Sequence, residues 1–209
     1  MKCFADHATR NMQFLDVGTH WGVFTLAAIH YGGKGVRVVG IEASSDAVAV
    51  YKENLQLNNV VSQVDIINAA CGESVGELKM LTTGAGGADY LVVPAGERFD
   101  TVTVPQVTID STVVSAGFKP THVKIDVEGF EEEVLRGAFQ TLRNFKPTVF
   151  LELHGLLINN RGKRPQNVLG LLREAGYSKW LNLDNQVITT EELEACGYNA
   201  RFIAINPVG

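Results

Sequence analysis

Residues 14–22 read FLDVGTHWG, and residues 123–131 read VKIDVEGFE. Each stretch passes from apolar, β-prone residues into an acid and a glycine, and then into a helical pattern. In an open α/β sheet the ligand lies beyond the carboxyl ends of the strands, at the point where the strand order reverses. The two stretches therefore predict a parallel sheet with a ligand crevice at two strand ends, and their acids favour a cationic ligand over a phosphate.

Strand and helix patterns alternate along most of the chain. Strands are predicted at 13–17, 36–42, 63–70, 121–127, 147–154, 177–183 and 200–206, with helices between most of them. Repetition of strand, helix and strand implies right-handed crossovers. The prediction is an α/β fold with a seven-stranded, mainly parallel sheet, helices on both faces and an antiparallel last strand.

The stretch 72–109 interrupts this alternation. Gly76–Thr82, Tyr90–Val93 and Thr101–Ile109 read as short strands, separated by glycine-containing segments at 84–87 and 94–96. We predict a β-hairpin insertion, which is equally compatible with a substrate lid and with a mobile surface loop.

Bulk composition predicts one domain spanning residues 1–209, because the chain is 45% hydrophobic and 20% charged. The net charge of -5 gives no sequence-wide basic surface for nucleic acid or an anionic membrane. The three cysteines are widely separated, which argues against a disulfide framework or a zinc site. No apolar run approaches the roughly 18 residues of a spanning helix. We therefore expect a soluble, cytoplasmic protein.

The loop from Gly18 to Gly22 matches neither the glycine pattern of a dinucleotide site nor that of a P-loop. It has no lysine to meet phosphates, and Asp16 would repel them. An ammonium for Asp16 and a carboxylate for the loop's N–H groups suit it better. A tight turn that binds nothing is the alternative.

Glu42 ends the next strand, about twenty residues beyond the loop, at the spacing of a carboxylate that accepts both hydroxyls of a ribose. A capping role for Glu42 is disfavoured because Ser44, Ser45 and Asp46 are available as caps. Loop and acid together indicate an adenosine-bearing ligand with an amino-acid end. S-adenosylmethionine is that ligand.

Further motifs, together with this pattern, resemble the class I S-adenosylmethionine-dependent methyltransferases and, more narrowly, the FkbM-type family. They are FLDVG at 14–18, NAACG at 68–72, TIDS at 108–111, KIDVEGFE at 124–131 with VLRGA at 134–138, and VFLELH at 149–154. The resemblance implies a Rossmann-like methyltransferase fold acting on hydroxyl groups of sugars or secondary metabolites. The predicted cofactor contacts are Asp16, Gly18, Thr19, Gly22, Glu42, Ala43, Ala70 and Asp126.

The strand around residues 122–127 is unusual, because His122, Lys124 and Asp126 would share one face where a doubly buried strand is normally apolar. Unpaired charges there would cost several kcal/mol, so partners must exist. The neighbouring strand offers Glu152 and His154 on one face, and we predict a Lys124–Glu152 ion pair. Asp126 and His154, at the rim, are the catalytic candidates.

His154 is predicted to be the general base for an alcohol acceptor, because its ordinary pKa near 6.5 suits that role. A histidine that only binds a loop carbonyl is the alternative. Asp126 is predicted to hold the methionyl ammonium, with acceptor binding or base catalysis as alternatives. Glu128 and Glu131 are interpreted as helix-start residues, and Asp110 as a helix N-cap.

A metal site and a basic loop are each open to two interpretations. Asp126, Glu152 and His154 could hold a magnesium or manganese ion, but Lys124 would compete, and we predict no metal. The basic loop at 159–165 is either solvated or a contact for an anionic or polyhydroxylated substrate.

The leading hypothesis is an S-adenosylmethionine-dependent O-methyltransferase with a small-molecule or glycan acceptor, and a homodimer is compatible with the sequence. A non-catalytic S-adenosylmethionine-binding protein is the second hypothesis. An NAD-dependent oxidoreductase is disfavoured by the missing second glycine of the fingerprint.

Overall fold

The computed structural model describes residues 2–82, 90–92 and 101–206. The strands of these residues are, in chain order, β1 Gln13–Val17, β2 Arg37–Glu42, β3 Val64–Asn68, β4 Ala70–Cys71, β5 Gly76–Thr82, β6 Tyr90–Val92, β7 Thr101–Val107, β8 His122–Ile125, β9 Thr148–His154, β10 Lys179–Leu181 and β11 Asn199–Ile205. The helices are α1 Lys2–His7, α2 Val23–Gly32, α3 Ser45–Leu57, α4 Ile109–Ser115, α5 Glu131–Arg136, α6 Phe139–Phe145, α7 Gly155–Asn160, α8 Pro165–Glu174 and α9 Thr190–Ala195.

The main sheet has seven strands in the order β10-β11-β9-β8-β1-β2-β3. The five strands β9, β8, β1, β2 and β3 run parallel to one another, and β11 is antiparallel to both β9 and β10. These pairings confirm the predicted α/β sheet and its antiparallel last strand. The chain runs outward from β1 through β2 to β3 and then returns to β8 on the other side of β1. The carboxyl ends of β1 and β8 are therefore the switch point at which such folds bind ligands.

Two apolar clusters cover the two faces of this sheet. Neighbouring residues of a strand point to opposite faces, so one strand can contribute to both clusters. Leu15 of β1 belongs to the cluster formed with α4, α5, α6 and α8, and Phe14 belongs to the cluster formed with α1 and α2. Burial on both faces explains why the central strands read as nearly continuous apolar runs.

The insertion forms a second sheet of four strands, in the order β4-β7-β5-β6. The predicted hairpin is confirmed, since β5 pairs antiparallel with β6, but β7 and β4 extend it. The segments at 84–87 and 94–96 lie outside the described residues. The lid interpretation of this region thus stays a prediction.

Local capping agrees in part with the sequence. Helix α9 begins with a capping box between Thr189 and Glu192. Helix α3 is capped by Ser44, whose hydroxyl accepts from Ala47 N at 3.2 Å, rather than by the following serine or aspartate. Helix α1 was not predicted, because a six-residue stretch with two buried positions carries little periodic signal.

The prediction that Asp110 caps its own helix is wrong. Thr108 and Ser111 form the capping box of α4 instead. The Asp110 carboxylate accepts from the backbone N–H groups of Gln140 and Thr141, at 3.1 and 2.8 Å, and so binds the first turn of α6. Among the described helices, none combines the length and the apolar character needed to cross a membrane.

Candidate active site

A cleft of about 270 Å³ opens at the carboxyl ends of β1, β2 and β8, and we call it the strand-end cleft. Five predicted cofactor contacts line it, namely Gly18, Glu42, Ala43, Ala70 and Asp126. The other described lining residues are Val17, His20, Ile41, Ala69, Cys71, Leu78, Met80, Val127, Glu128 and Phe130. The predicted crevice at two acidic strand ends is therefore present, with the two ends brought to one opening.

Three predicted contacts, Asp16, Thr19 and Gly22, do not belong to this lining. Asp16 and Thr19 are buried. A Cβ on Gly22 would come within 2.2 Å of the Tyr51 ring, so this glycine lets the loop pack against α3. Their roles toward a cofactor stay predictions.

Gly18 joins the two strand ends. Its φ of +72° lies in the left-handed region, and a Cβ there would lie 1.8 Å from the backbone carbonyl oxygen of Asp126. Its N–H donates to the carbonyl of Ile41 at 2.9 Å. The glycine is therefore required for the close approach of β1 and β8, in addition to any contact with a ligand.

Glu42 is held by the backbone and lies at the cleft with 7% of its surface exposed. One carboxylate oxygen accepts from His20 N at 2.8 Å and the other from Ser44 N at 2.9 Å. Burial raises the pKa of Glu42, and these N–H groups oppose the rise. Because a carboxylate has about four acceptor sites, capacity for a pair of hydroxyl donors remains.

The predicted Lys124–Glu152 ion pair is wrong. Lys124 Nζ lies 3.7 Å from Asp16 Oδ1 and 3.4 Å from Asp126 Oδ2, while Glu152 pairs with Arg201 at 2.6 Å. Strand register is the reason, since Lys124 lies directly opposite Asp16 on β1 and Glu152 lies directly opposite Arg201 on β11.

Asp16 is buried next to the loop from Gly18 to Gly22. Its Oδ2 accepts from the Thr25 hydroxyl at 2.8 Å, and its side chain has no exposed surface. Burial raises the pKa of Asp16, and the nearby Lys124 ammonium opposes the rise. Lys124 also donates to the carbonyl of Gly18, so the pair ties α2, β8 and the loop together.

His154 stands among four carboxylates at the end of β9. Its Nδ1 donates to the buried Glu131 carboxylate at 2.6 Å. Its Nε2 lies 3.5 Å from Glu128, 3.7 Å from Glu152 and 3.9 Å from Asp126. The two predicted catalytic residues, His154 and Asp126, are thus neighbours.

The protonation of His154 differs from the expectation. Burial alone would lower its pKa, but the hydrogen bond to Glu131 and the charges of Glu131, Glu128 and Asp126 raise it to about 9. At neutral pH the ring is therefore mainly an imidazolium. The ordinary pKa assumed from the sequence was wrong, because the carboxylates come from three separate elements.

Glu128 and Glu131 do more than begin a helix. Glu131 is the first residue of α5, yet its carboxylate accepts from Gly129 N at 3.1 Å and from His154. Glu128 has a φ of +48° and lines the strand-end cleft. Burial raises the pKa of Glu128, and the positive charge of His154 opposes the rise.

Asp126, Glu152 and His154 also form a candidate set of metal ligands. One ligand atom of each lies within 4.8 Å of the others. Lys124 and Arg201 already neutralise the two carboxylates, at 3.4 and 2.6 Å. A metal would have to displace both cations, so it stays the alternative and not the first choice.

Part of the cleft wall has no counterpart among the residues predicted from the sequence. Leu78 and Met80 of β5 line it, as does Phe130 before α5. The alternation of Leu78 and Met80 within a predicted strand was the available signal. The basic loop is not free, because Arg161 and Lys163 both pair with Glu133, and the Arg161 guanidinium lies 4.5 Å from the centre of the Phe130 ring.

Comparisons with known proteins agree with this architecture. The family model described as the methyltransferase FkbM domain matches residues 16–179. Ribosomal protein L11 methyltransferase from Geobacter metallireducens is 44% identical over 50 residues, which are 24% of this chain and 16% of that protein.

Two solved structures show the same fold. Methyltransferase FkbM from Methylobacillus flagellatus KT matches 92% of this chain and 43% of its own, with a TM-score of 0.61 and 17% identity. Aeropyrum pernix fibrillarin, in complex with natively bound S-adenosyl-L-methionine, matches 94% of this chain and 66% of its own, with a TM-score of 0.51 and 9% identity. The chain thus spans less than half of the Methylobacillus protein.

Proposed function

The chain belongs to the FkbM family of S-adenosylmethionine-dependent methyltransferases, and from this premise we propose that it is an O-methyltransferase. In this proposal the strand-end cleft binds S-adenosylmethionine, and the acceptor is a hydroxyl of a small molecule or glycan. When bound, S-adenosylmethionine supplies an electrophilic methyl group on its sulfonium.

The charge of the strand-end cleft is the observation that carries the proposal. Glu42, Asp126 and Glu128 line it, and its described lining contains no lysine or arginine. Carboxylates suit ribose hydroxyls, an ammonium and a sulfonium. The phosphates of a dinucleotide would meet the same carboxylates and be repelled, which argues against the NAD-dependent alternative.

Three parts of the lining have separate roles in this proposal. Glu42 would accept the ribose hydroxyls, since its backbone donors hold the carboxylate in one position. Asp126 would receive the ammonium of the methionyl end through Oδ1, because Lys124 lies beside Oδ2, at 3.4 Å. The apolar wall of Ala70, Leu78 and Met80 offers a surface for the adenine ring.

His154 would act on the acceptor. Its Nε2 takes the hydroxyl proton as the oxygen gains the methyl group, while Glu131 keeps the Nδ1–H in place and stabilises the imidazolium that forms. The ring must first be neutral, so turnover should rise as pH approaches 9. A cationic ligand near Asp126 would favour the neutral ring and lower this pKa.

Methyl transfer from labelled S-adenosylmethionine to a pool of hydroxylated small molecules and glycans tests the proposal. We expect labelled methyl ethers, together with a rise in melting temperature caused by S-adenosylmethionine and not by NAD. A cofactor that binds but never loses its methyl group to any acceptor would favour the non-catalytic alternative. Stabilisation by NAD alone would overturn the proposal.

A further inference from the structure

A second cleft, of about 260 Å³, lies beside the strand-end cleft. It is bounded by α1, the start of α2 and the sheet face formed by β8, β9 and β11. Its lining includes Phe4, Phe24, Phe150, Leu183, Asp126 and Glu152. Among the described residues Asp126 is the one that lines both clefts, so the two meet at this carboxylate.

Three aromatic rings form the body of the second cleft. The centre of the Phe4 ring lies 5.4 Å from that of Phe24 and 4.8 Å from that of Phe150. Such a wall favours an apolar, ring-bearing ligand. A ligand ring packed on it would bury apolar surface and make edge-to-face contacts with the phenylalanine rings.

Two of the three cations that line the second cleft are paired within the protein, and the third, Lys2, is exposed at the start of α1. Lys124 is held by Asp16 and Asp126, and Arg201 is held by Glu152. An anionic ligand would have to compete with these carboxylates for Lys124 or Arg201. The buried part of the cleft, where Lys124 lies, therefore favours a neutral ligand.

Polar groups are concentrated where the two clefts meet. Asp126 and Glu152 line the second cleft, and both lie within 3.9 Å of His154 Nε2. A hydroxyl placed at this junction would be near the proposed base on one side and the proposed cofactor cleft on the other.

We infer that the second cleft binds the methyl acceptor, and that the acceptor is a neutral compound with an apolar, ring-bearing body and a hydroxyl directed at Asp126. This inference rests on the proposed function, whose acceptor it narrows. A plain sugar would bury no apolar group against the wall that Phe4, Phe24 and Phe150 form.

Three glucosides that differ in one group test the inference: phenyl glucoside, methyl glucoside and the anionic phenyl glucuronide. Calorimetry in the presence of S-adenosylhomocysteine measures their binding without turnover. We expect phenyl glucoside to bind at least about tenfold more tightly than the other two, because its ring is buried without a charge.

A filled-cleft variant locates the binding. Leu183 is 53% exposed at the second cleft, and Leu57 is 79% exposed on α3, away from both clefts. Leu183→Trp should weaken phenyl glucoside binding at least about tenfold, and the control Leu57→Trp should leave it unchanged. Both variants should bind S-adenosylmethionine like the wild type.

The outcomes separate the inference from the proposed function. Equal binding of phenyl and methyl glucosides, or phenyl glucoside binding that Leu183→Trp does not affect, would overturn the inference even where methyl transfer is observed. Phenyl glucoside binding that is lost in Leu183→Trp would support it even where the assay detects no methyl transfer, in which case the proposed function alone fails.

Discussion

The β1–β2 edge of the strand-end cleft and its β8–β9 edge are held by different interactions. On the first edge, Gly18 and Glu42 are fixed by backbone N–H groups and by close packing. On the second, Asp126, Glu152 and His154 are positioned by charges from three other residues. The first edge is suited to binding and the second to proton transfer, because the second carries the imidazole of His154, whose pKa is about 9.

Removing His154 should have the largest effect and should act on one edge only. We expect His154→Ala to lower the turnover rate by roughly 10²–10⁴-fold, the usual size of general base catalysis. Affinity for S-adenosylmethionine should stay nearly unchanged, because His154 is outside the described cleft lining. His30→Ala, at an exposed position of α2, is the matched control. Near wild-type turnover of His154→Ala would contradict this role and assign the general base to Asp126 or solvent.

Gly18→Ala tests the packing that joins the two edges. Its Cβ would overlap the Asp126 carbonyl oxygen, in addition to the cost of a left-handed conformation. Gly117 also has a positive φ, of +56°, but no atom within 4 Å of an added Cβ. Gly117→Ala should cost about 1–2 kcal/mol in the free energy of unfolding. We expect Gly18→Ala to cost more, as measured by denaturant titration, and an equal cost would contradict the close approach.

Glu131→Gln tests the charges of the β8–β9 edge. Without the Glu131 carboxylate the pKa of His154 should fall from about 9 toward its ordinary value, and turnover should reach its maximum at lower pH. NMR titration of the His154 ring measures this directly. Glu53→Gln, exposed on α3, should leave the titration unchanged. An unchanged pKa of His154 in Glu131→Gln would show that groups other than Glu131 raise it.

The raised pKa of His154 also makes the free energy of unfolding depend on pH. The imidazolium of His154 stabilises the folded state fully below the ordinary pKa near 6.5, and this contribution is lost as pH rises through about 9. The free energy of unfolding of the wild type should therefore fall over that window. The fall should be smaller in Glu131→Gln, as denaturant titrations at a series of pH values would show.

Chelation should have the smallest effect. Because Lys124 and Arg201 already neutralise Asp126 and Glu152, we expect turnover to be the same with a chelator and with added magnesium or manganese. A loss of activity on chelation that returns with one of these ions would establish the metal alternative at the β8–β9 edge.

The difference between the two edges also explains what the sequence could predict. Gly18 and Glu42 belong to continuous motifs at fixed spacing, so the sequence predicts their positions at the ends of β1 and β2, while their contacts with a cofactor stay predictions. The pairing of Lys124 was not predicted, because nothing local shows that β1 lies between β2 and β8 and sets Asp16 opposite it. Glu131 was assigned to a helix start for the same reason. Its contact with His154 spans two elements that only the fold brings together.

The central claim is that the strand-end cleft binds S-adenosylmethionine through Glu42, and calorimetry of Glu42→Ala tests it most directly. The matched control is Asp46→Ala, an exposed acid in the first turn of α3. We expect Glu42→Ala to weaken binding by about 1.5–3 kcal/mol, or roughly 10- to 150-fold in Kd, the range for hydrogen bonds to a charged group. Asp46→Ala should bind like the wild type. Unchanged affinity in a folded Glu42→Ala variant would contradict the assignment of this cleft.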